Sequence, residues 1–378
     1  MKLASIVNFW LLVGLVFQEG EFMMSEFDKQ IVVYGAGSIG TISGAYLTKA
    51  YGKDHVTLVD AWQENVDALN KNGAHITGTT DLTVPVTAVT PEQLSGQFDV
   101  ILLHTKQGFN DTVIPAIKKL LKSDGTLVSL QNGVPEHNIT KTIPAKNVIA
   151  GTVEFGGTGA GPGVSELTSD YDTFKSSAYA IGEIDGQITD RIKMIQEILS
   201  NVGGVTVSDN LMGTKWVKLL VNESFSGLSA ASDLTFGEVA ADDVGIKSAL
   251  HLINEGLEVG HADGVKFATI GGADMEQLFT LHGDDFTDEQ IKNLRLFIQS
   301  SSKLKASMLQ DLYHHRKTEI NEINGLISST GKEYGIETPY NDLIIKIVTK
   351  AQDTNVLPKF EDTKAELTKL LGNKPVAS

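Results

Sequence analysis

The run Ile31-Val-Val-Tyr34 leads directly into Gly35-Ala-Gly37-Ser-Ile-Gly40, and a small and apolar stretch continues from Ser38 to Ala50. Four apolar, partly β-branched residues ending at a glycine cluster predict a buried strand, and the segment after the glycines predicts a helix. A GxGxxG alone is a weak signal; placed between a strand and a helix it carries a mechanism. Gly35 would allow the tight turn, Gly37 the approach of backbone to a pyrophosphate, and Gly40 the close packing of helix on strand. The helix N-terminus would then present unpaired N–H groups and the positive end of a dipole to phosphates. A glycine turn without a ligand is the competing reading.

Outward from this turn the pattern repeats. Strands are predicted at His55–Val59, Val84–Ala88, Asp99–His104, Gly125–Leu130 and Val148–Thr152, with helices at Ala61–Asn72 and Asp111–Leu121. Alternation of this kind implies a mostly parallel sheet covered on both faces. The glycine-rich stretch Gly156–Gly163 and the turn-like Thr168–Asp172 read as a surface excursion, followed by a late strand at Ala178–Ile181 and a helix at Arg191–Asn201. After Asp209 the period changes. Long helical segments are predicted at Met212–Ser232, Ala241–Asp263, Asp288–Asp311, Glu319–Tyr334 and Tyr340–Asn355. The expectation is a Rossmann-type α/β domain over residues 29–208 and an all-α domain over 209–370, the second carrying substrate and catalytic groups. Residues 1–28 are read as a leader outside the fold. Its apolar run Ile6–Phe17 is short for a spanning helix and has no small-x-small cleavage site, so an upstream extension with a start at Met23 or Met24 is favoured over an export or membrane signal.

A chain of 378 residues accommodates two domains, and 41% hydrophobic with 21% charged residues is globular composition. With 31 basic and 47 acidic residues the formal net charge is −16, which opposes general nucleic-acid binding. An anionic ligand must therefore be held by local donors. The absence of cysteine removes disulfides, thiol nucleophiles and Cys-ligated metals, and fits a reducing, cytoplasmic setting. No metal is expected: His314 and His315 are adjacent and point to different helix faces, and no HExxH spacing occurs. The acidic cluster Glu238, Asp242 and Asp243 reads as a solvated face, and Asp284 and Asp285 as a loop and a helix start.

Asp60 ends the second predicted strand, 20 residues beyond Gly40. A carboxylate there can accept from both hydroxyls of an adenosine ribose and repels a 2′-phosphate. NAD(H) is therefore favoured, with NADP(H) as the alternative; no lysine or arginine follows until Lys71. A helix-capping role for Asp60 is compatible with this one.

Further motifs lie in order along the chain: His104-Thr-Lys106, Ser129-Leu-Gln-Asn132-Gly133, Trp216-Val-Lys218-Leu-Leu-Val-Asn222, Ser307-Met-Leu-Gln-Asp311 and Thr318-Glu319-Ile-Asn-Glu-Ile-Asn-Gly325. With the glycine turn, they make the chain resemble the ketopantoate reductases (2-dehydropantoate 2-reductases) and the related D-2-hydroxyacid dehydrogenases of D-mandelate type, over roughly residues 29 to 355. The resemblance implies NAD(P)H-dependent reduction of a 2-oxo acid. It implies cofactor contacts from Gly35, Ala36, Gly37, Ser38, Ile39, Gly40, Lys106 and Asn132, a general acid at Lys218, and a carboxylate at Glu319 closing the site. Substrate contacts fall on Asn222, Ser307 and Asn132. Chemically, the reaction needs a hydride donor facing the carbonyl carbon, a proton donor at the oxygen and an anchor for the carboxylate. Lys218, Asn222 and Ser226 are spaced i, i+4, i+8 on a predicted helix and share one face.

Each assignment has a plain competitor: a solvated lysine at 218, a first-turn glutamate at 319, a helix-surface serine at 307. One departure stands out. Ser226 occupies a place where ketopantoate reductases commonly carry a second asparagine, which leaves more room and shifts weight toward other 2-oxo acids, mandelate-type or branched. A different class, a nicotinamide-sensing protein without turnover, has no use for the Lys218 and Glu319 pair. The expected partner is a small 2-oxo or 2-hydroxy acid; nucleic acid and stable membrane association are not expected, and a homodimer is compatible with the helical second half.

Overall fold

The computed structural model describes residues 27–269, 274–281 and 286–372. Residues 1–26 of the leader, Asp284, Asp285 and the last six residues lie outside them, whereas Phe27, read as part of the leader, stacks on Tyr51 and packs against the core. Among the described residues no helix is long and apolar enough to cross a membrane.

Twelve strands are described: β1 (Ile31–Tyr34), β2 (Val56–Val59), β3 (Ala74–Gly78), β4 (Leu82–Val84), β5 (Thr87–Val89), β6 (Phe98–Leu103), β7 (Leu121–Ser129), β8 (Val148–Val153), β9 (Gly157–Gly161), β10 (Val164–Leu167), β11 (Tyr179–Glu183) and β12 (Val205–Val207). Eight form one sheet in the order β12-β11-β8-β7-β6-β1-β2-β5. All its pairings are parallel except β8 with β11. Helices α1 (Ser38–Tyr51), α2 (Gln63–Asn72), α3 (Asn110–Leu120), α4 (Glu136–Ile139), α5 (Tyr171–Ser176) and α6 (Asp190–Ser200) accompany the strands.

The central strand shows why its sequence is apolar throughout. Ile31 and Val33 point into one core with Ile42 and Leu47 of α1, while Val32 and Tyr34 point into another with Ile114 and Ile117 of α3. Both faces are covered, so the period-two alternation of a half-exposed strand is absent. The successive turns at Gly35, Asp60, His104, Leu130 and beyond Val153 leave one edge of the sheet, where open α/β sheets bind ligands.

The expected strand at Val84–Ala88 is two strands. Pro85 has no N–H for a ladder, and the chain changes sheets there: β4 joins β3, and β5 joins β2. The glycine-rich excursion is also ordered. β9 and β10 complete a second sheet, β4-β3-β10-β9, that the glycine content concealed.

Beyond β12 the chain is helical: α7 (Leu211–Val221), a π-turn (Asn222–Ser226), α8 (Gly227–Ser232), α9 (Phe236–Ala241), α10 (Asp243–Ala262), α11 (Met275–Phe279), α12 (Asp288–Ile298), α13 (Ser307–Tyr313), α14 (Asn324–Tyr334), α15 (Pro339–Thr354) and α16 (Phe360–Gly372). The twenty-residue α10 is the hub, packing against α7, α14, α15 and α16. Two expected helices are shorter than their periodicity. The Asp288–Asp311 segment breaks after Ile298, and Glu319 stands in a turn before α14 begins at Asn324. α16 was not expected.

Candidate active site

The glycine turn has the geometry its spacing predicts. Gly35 adopts φ of 105°, and a Cβ there would lie 2.8 Å from the Thr105 backbone nitrogen. A Cβ on Gly40 would lie 2.0 Å from the Gly35 carbonyl, so strand end and helix start touch backbone to backbone. Gly37 faces open space, with nothing within 4 Å of its notional Cβ, and no side chain caps the N-terminus of α1. Ala36, Ser38 and Ile39 complete the turn. Unpaired N–H groups around an open glycine fit a pyrophosphate.

Asp60 follows β2. Its Oδ1 accepts from Trp62 N–H at 2.8 Å and its Oδ2 from Asn65 Nδ2 at 3.0 Å. The buried Asn65 also donates to Ala36 O and accepts from Gly163 N–H, which ties the carboxylate to the glycine turn and to the second sheet. Each Asp60 oxygen keeps accepting capacity for a ribose hydroxyl. Sequence reasoning missed Asn65; a polar residue on the inner face of a short amphipathic helix was the available signal.

The loops after β6 and β7 brace one another. Gln131 Nε2 donates to Thr105 O at 2.7 Å, and Gln107 Nε2 donates to Asn132 O at 2.5 Å. Burial pushes the pKa of the His104 imidazole down to about 4, so it is neutral beneath the turn. Lys106, on the same loop, reaches Asp311 on α13, Nζ to Oδ2 at 3.2 Å, and joins the two halves of the molecule.

A small cavity of about 10 Å³ lies where these loops meet α7, lined by Gln131, Asn132, Gly133, Thr152, Lys215 and Lys218. Lys215 and Lys218 are three residues apart on α7 and behave oppositely. The Lys215 ammonium is buried and satisfied: it donates to Glu136 Oε1 at 2.6 Å, Gly151 O at 3.0 Å and Gln131 O at 3.4 Å. Lys218 meets solvent at the cavity mouth, with protein around much of its ammonium, and among the described residues no hydrogen bond or ion pair holds it. That partial burial, reinforced by the charge of Lys215 and opposed by Glu154, holds its pKa below the ordinary lysine value. Lys215 therefore anchors the helix that displays Lys218. Neither Lys215 nor Glu136 was singled out from sequence, because the pair spans 79 residues.

The Asn132 amide lies near Glu319 and favours its charged form. Burial raises the Glu319 pKa above the usual carboxylate range, against the pull of Lys106 and with support from Glu322 and Asp311. Its place before α14 removes the helix-dipole reading. Lys218 and Asn132 therefore line one cavity, with Glu319 near Asn132. After α7 the helix widens into the π-turn: Ser224 Oγ takes the Leu220 carbonyl at 2.6 Å, and Gly227 N–H reaches back five residues to Asn222 O. π-Turns in helices are frequent at functional sites. Ser226 Oγ donates to Asn222 Oδ1 at 3.4 Å, so these two candidates touch. Ser307 is exposed at the start of α13, which packs against the π-turn, and no bond among the described residues joins it to Lys218.

Comparison with known proteins gives the family. Residues 31–180 match the family described as Ketopantoate reductase PanE/ApbA, and residues 210–352 match Ketopantoate reductase PanE/ApbA C terminal. The chain belongs to the ketopantoate reductase family. A 2-dehydropantoate 2-reductase of Streptococcus pyogenes serotype M6 is 26% identical over 325 residues, 84% of this chain and 96% of the relative. One from Lactococcus lactis subsp. lactis is 28% identical over 331 residues, 86% of this chain and 98% of the relative. Among solved structures, D-mandelate dehydrogenase with NADH and anilino(oxo)acetate is 25% identical with a TM-score of 0.70, covering 86% of this chain and 99% of that one.

Proposed function

We propose that this chain reduces the ketone of a small 2-oxo acid to a D-2-hydroxy acid with a reduced nicotinamide dinucleotide, as a 2-dehydropantoate 2-reductase-like enzyme. The observation that carries the reading is the unpaired Lys218 ammonium sharing one cavity with Asn132, with Glu319 close by. When bound, the nicotinamide supplies hydride to the carbonyl carbon. Lys218 gives its proton to the carbonyl oxygen as negative charge develops there, and its depressed pKa makes that transfer easier. Glu319 is assigned to the Asn132 side chain, which it would help to orient. Asn222, Ser226 and Ser307 are assigned to the substrate and its carboxylate. The Gly35–Gly40 turn holds the pyrophosphate, Asp60 the adenosine ribose, and Asn132 the nicotinamide side; Lys106 closes over the cofactor through Asp311.

NAD(H) is the proposed cofactor on the strength of Asp60. The division into a cofactor domain over residues 29–208 and a catalytic domain over 209–370 follows the change from strands to helices between Val207 and Leu211. A second reading, a D-2-hydroxyacid dehydrogenase for mandelate-type or branched acids, draws on Ser226 in the substrate group and on the likeness to D-mandelate dehydrogenase. A panel of 2-oxo acids, 2-dehydropantoate included, assayed with NADH and NADPH by loss of nicotinamide absorbance, tests both. Turnover is expected with NADH; tight NADH binding without turnover of any acid would leave the sensor reading in its place.

A further inference from the structure

The π-turn is held from behind by a residue outside the substrate and cofactor groups assigned above. Asn324, at the first position of α14, is wholly buried. Its Nδ2 donates to Glu223 O at 2.9 Å, a carbonyl inside the turn, and to Asn341 Oδ1 at 2.9 Å. Gly227, the residue that closes the turn, leaves space for this amide: a Cβ there would lie 3.0 Å from Ile344 Cγ2 and 3.1 Å from both Asn324 Nδ2 and Oδ1. On the other side the Glu223 side chain fills a slot left by Gly256, where a Cβ would lie 1.9 Å from Glu223 Oε1. A side chain inserted into a helical ladder is one of the few causes that widen or bend it.

The phase of the helix explains what such a strut does. In a regular α-helix, residues four apart drift about 40° round the axis, so Ser226 would stand about 80° from Lys218. A π-turn puts more residues into each turn and so cuts that drift. Ser226 is kept against Asn222, downstream of the unaltered helix that carries Lys218. The same Asn324 ends the segment that begins with Glu319, so one buried amide links the two walls of the cleft.

We propose that Asn324 is a positioning residue that sets the direction of Asn222 and Ser226 toward the 2-oxo acid by holding the π-turn. The inference rests on the reductase reading above. Its test compares wild type with Asn324→Ala, Asn324→Ser and Gly227→Ala, measuring kcat, KM for the best 2-oxo acid, Kd for NADH and Tm. Asn324→Ala is expected to raise KM about 10- to 100-fold, the scale set by small misplacements of binding groups, with NADH affinity unchanged. Asn324→Ser keeps a hydroxyl donor and is expected to recover part of the loss. Gly227→Ala crowds the amide without removing it and is expected to raise KM even though alanine is the better helix former. Because Lys218 precedes the turn, the alkaline limb of kcat should stay in place in all three. Should Asn324→Ala fail to fold, the other two variants carry the test. KM within about twofold of wild type in every folded variant, or a fall in kcat alone, overturns the proposal. A wild type that turns over no 2-oxo acid sinks the reductase reading itself, and the positioning role with it.

Discussion

The turn after β1 and the cleft on α7 each handle charge, by opposite means. The glycine turn offers backbone N–H groups, and its important side chains are the missing ones at Gly35, Gly37 and Gly40. The cleft depends on side chains brought from distant parts of the chain: Lys215 with Glu136, Lys218 beside Asn132, and Asn132 with Glu319. A backbone device is local and announces itself by composition. A side-chain device is assembled by folding, so its stability and chemistry can be tested separately.

The sharpest separation falls on α7. Lys218→Ala is expected to lower kcat by about 10²- to 10⁴-fold, the usual worth of a general acid, with NADH affinity and Tm preserved. Isothermal titration and a steady-state assay check both halves of that statement; unchanged kcat removes Lys218 from the mechanism. Lys215→Ala, one turn earlier, should do the reverse and act on folding. It leaves Glu136 buried without its cation, a loss of about 3–5 kcal/mol for pairs of this kind. Chemical denaturation should show that cost, and Lys215→Met with Glu136→Leu should recover much of it. If Lys215→Ala folds as well as wild type, the anchor role is wrong.

The backbone device breaks differently. Gly40→Ala places a methyl 2.0 Å from the Gly35 carbonyl, which cannot yield as a side chain would. A loss of about 1–3 kcal/mol in stability is expected from such overpacking, together with weakened NADH binding. The pH profile then compares the two regions in one experiment. The proposed mechanism needs protonated Lys218, so kcat is expected to fall as pH rises through a pKa below the ordinary 10.5. Lys218→Ala should remove that limb from kcat and leave the pH dependence of NADH affinity as in wild type, because the glycine turn holds the pyrophosphate by backbone N–H groups. An alkaline limb at or above 10.5 would contradict the partial burial and the Lys215 repulsion.

This contrast also accounts for what could be read in advance. Ile31–Gly40, the alternating strands and the change to helices after Val207 follow from local periodicity and glycine placement. Glu319 and Asn132 were legible as candidates, but their proximity was not, since nothing local relates positions 132 and 319. Pro85 was visible, yet its consequence, a change of sheet, required knowing that β3 had another partner. The strand β9 was hidden because Gly157, Gly159 and Gly161 lower strand propensity, while pairing with β10 supplies what propensity lacks. The π-turn was illegible for a related reason: it is held by side-chain bonds from Ser224 and Asn324 to carbonyls, not by residue preference.

The smallest expected effect lies at Asp60, where the two kinds of device meet. Its carboxylate is tied to Trp62 N–H and to Asn65, and Asn65 is tied to the glycine turn at Ala36. Asp60→Ala removes a charge that repels a 2′-phosphate and an acceptor for the ribose, so the preference for NADH over NADPH should narrow by about tenfold, or roughly 1.4 kcal/mol. It also frees the Trp62 N–H, at a cost of about 0.5–2 kcal/mol as for a lost helix cap. Asp60→Asn separates the two, because it keeps an acceptor for the backbone but loses the charge. The asparagine variant should therefore relax the cofactor ratio at a smaller cost in Tm than alanine, since it keeps the Trp62 acceptor and loses the bond from Asn65. Equal kcat/KM ratios for the two cofactors in wild type and both variants would mean that the adenosine end is recognised by something other than this carboxylate.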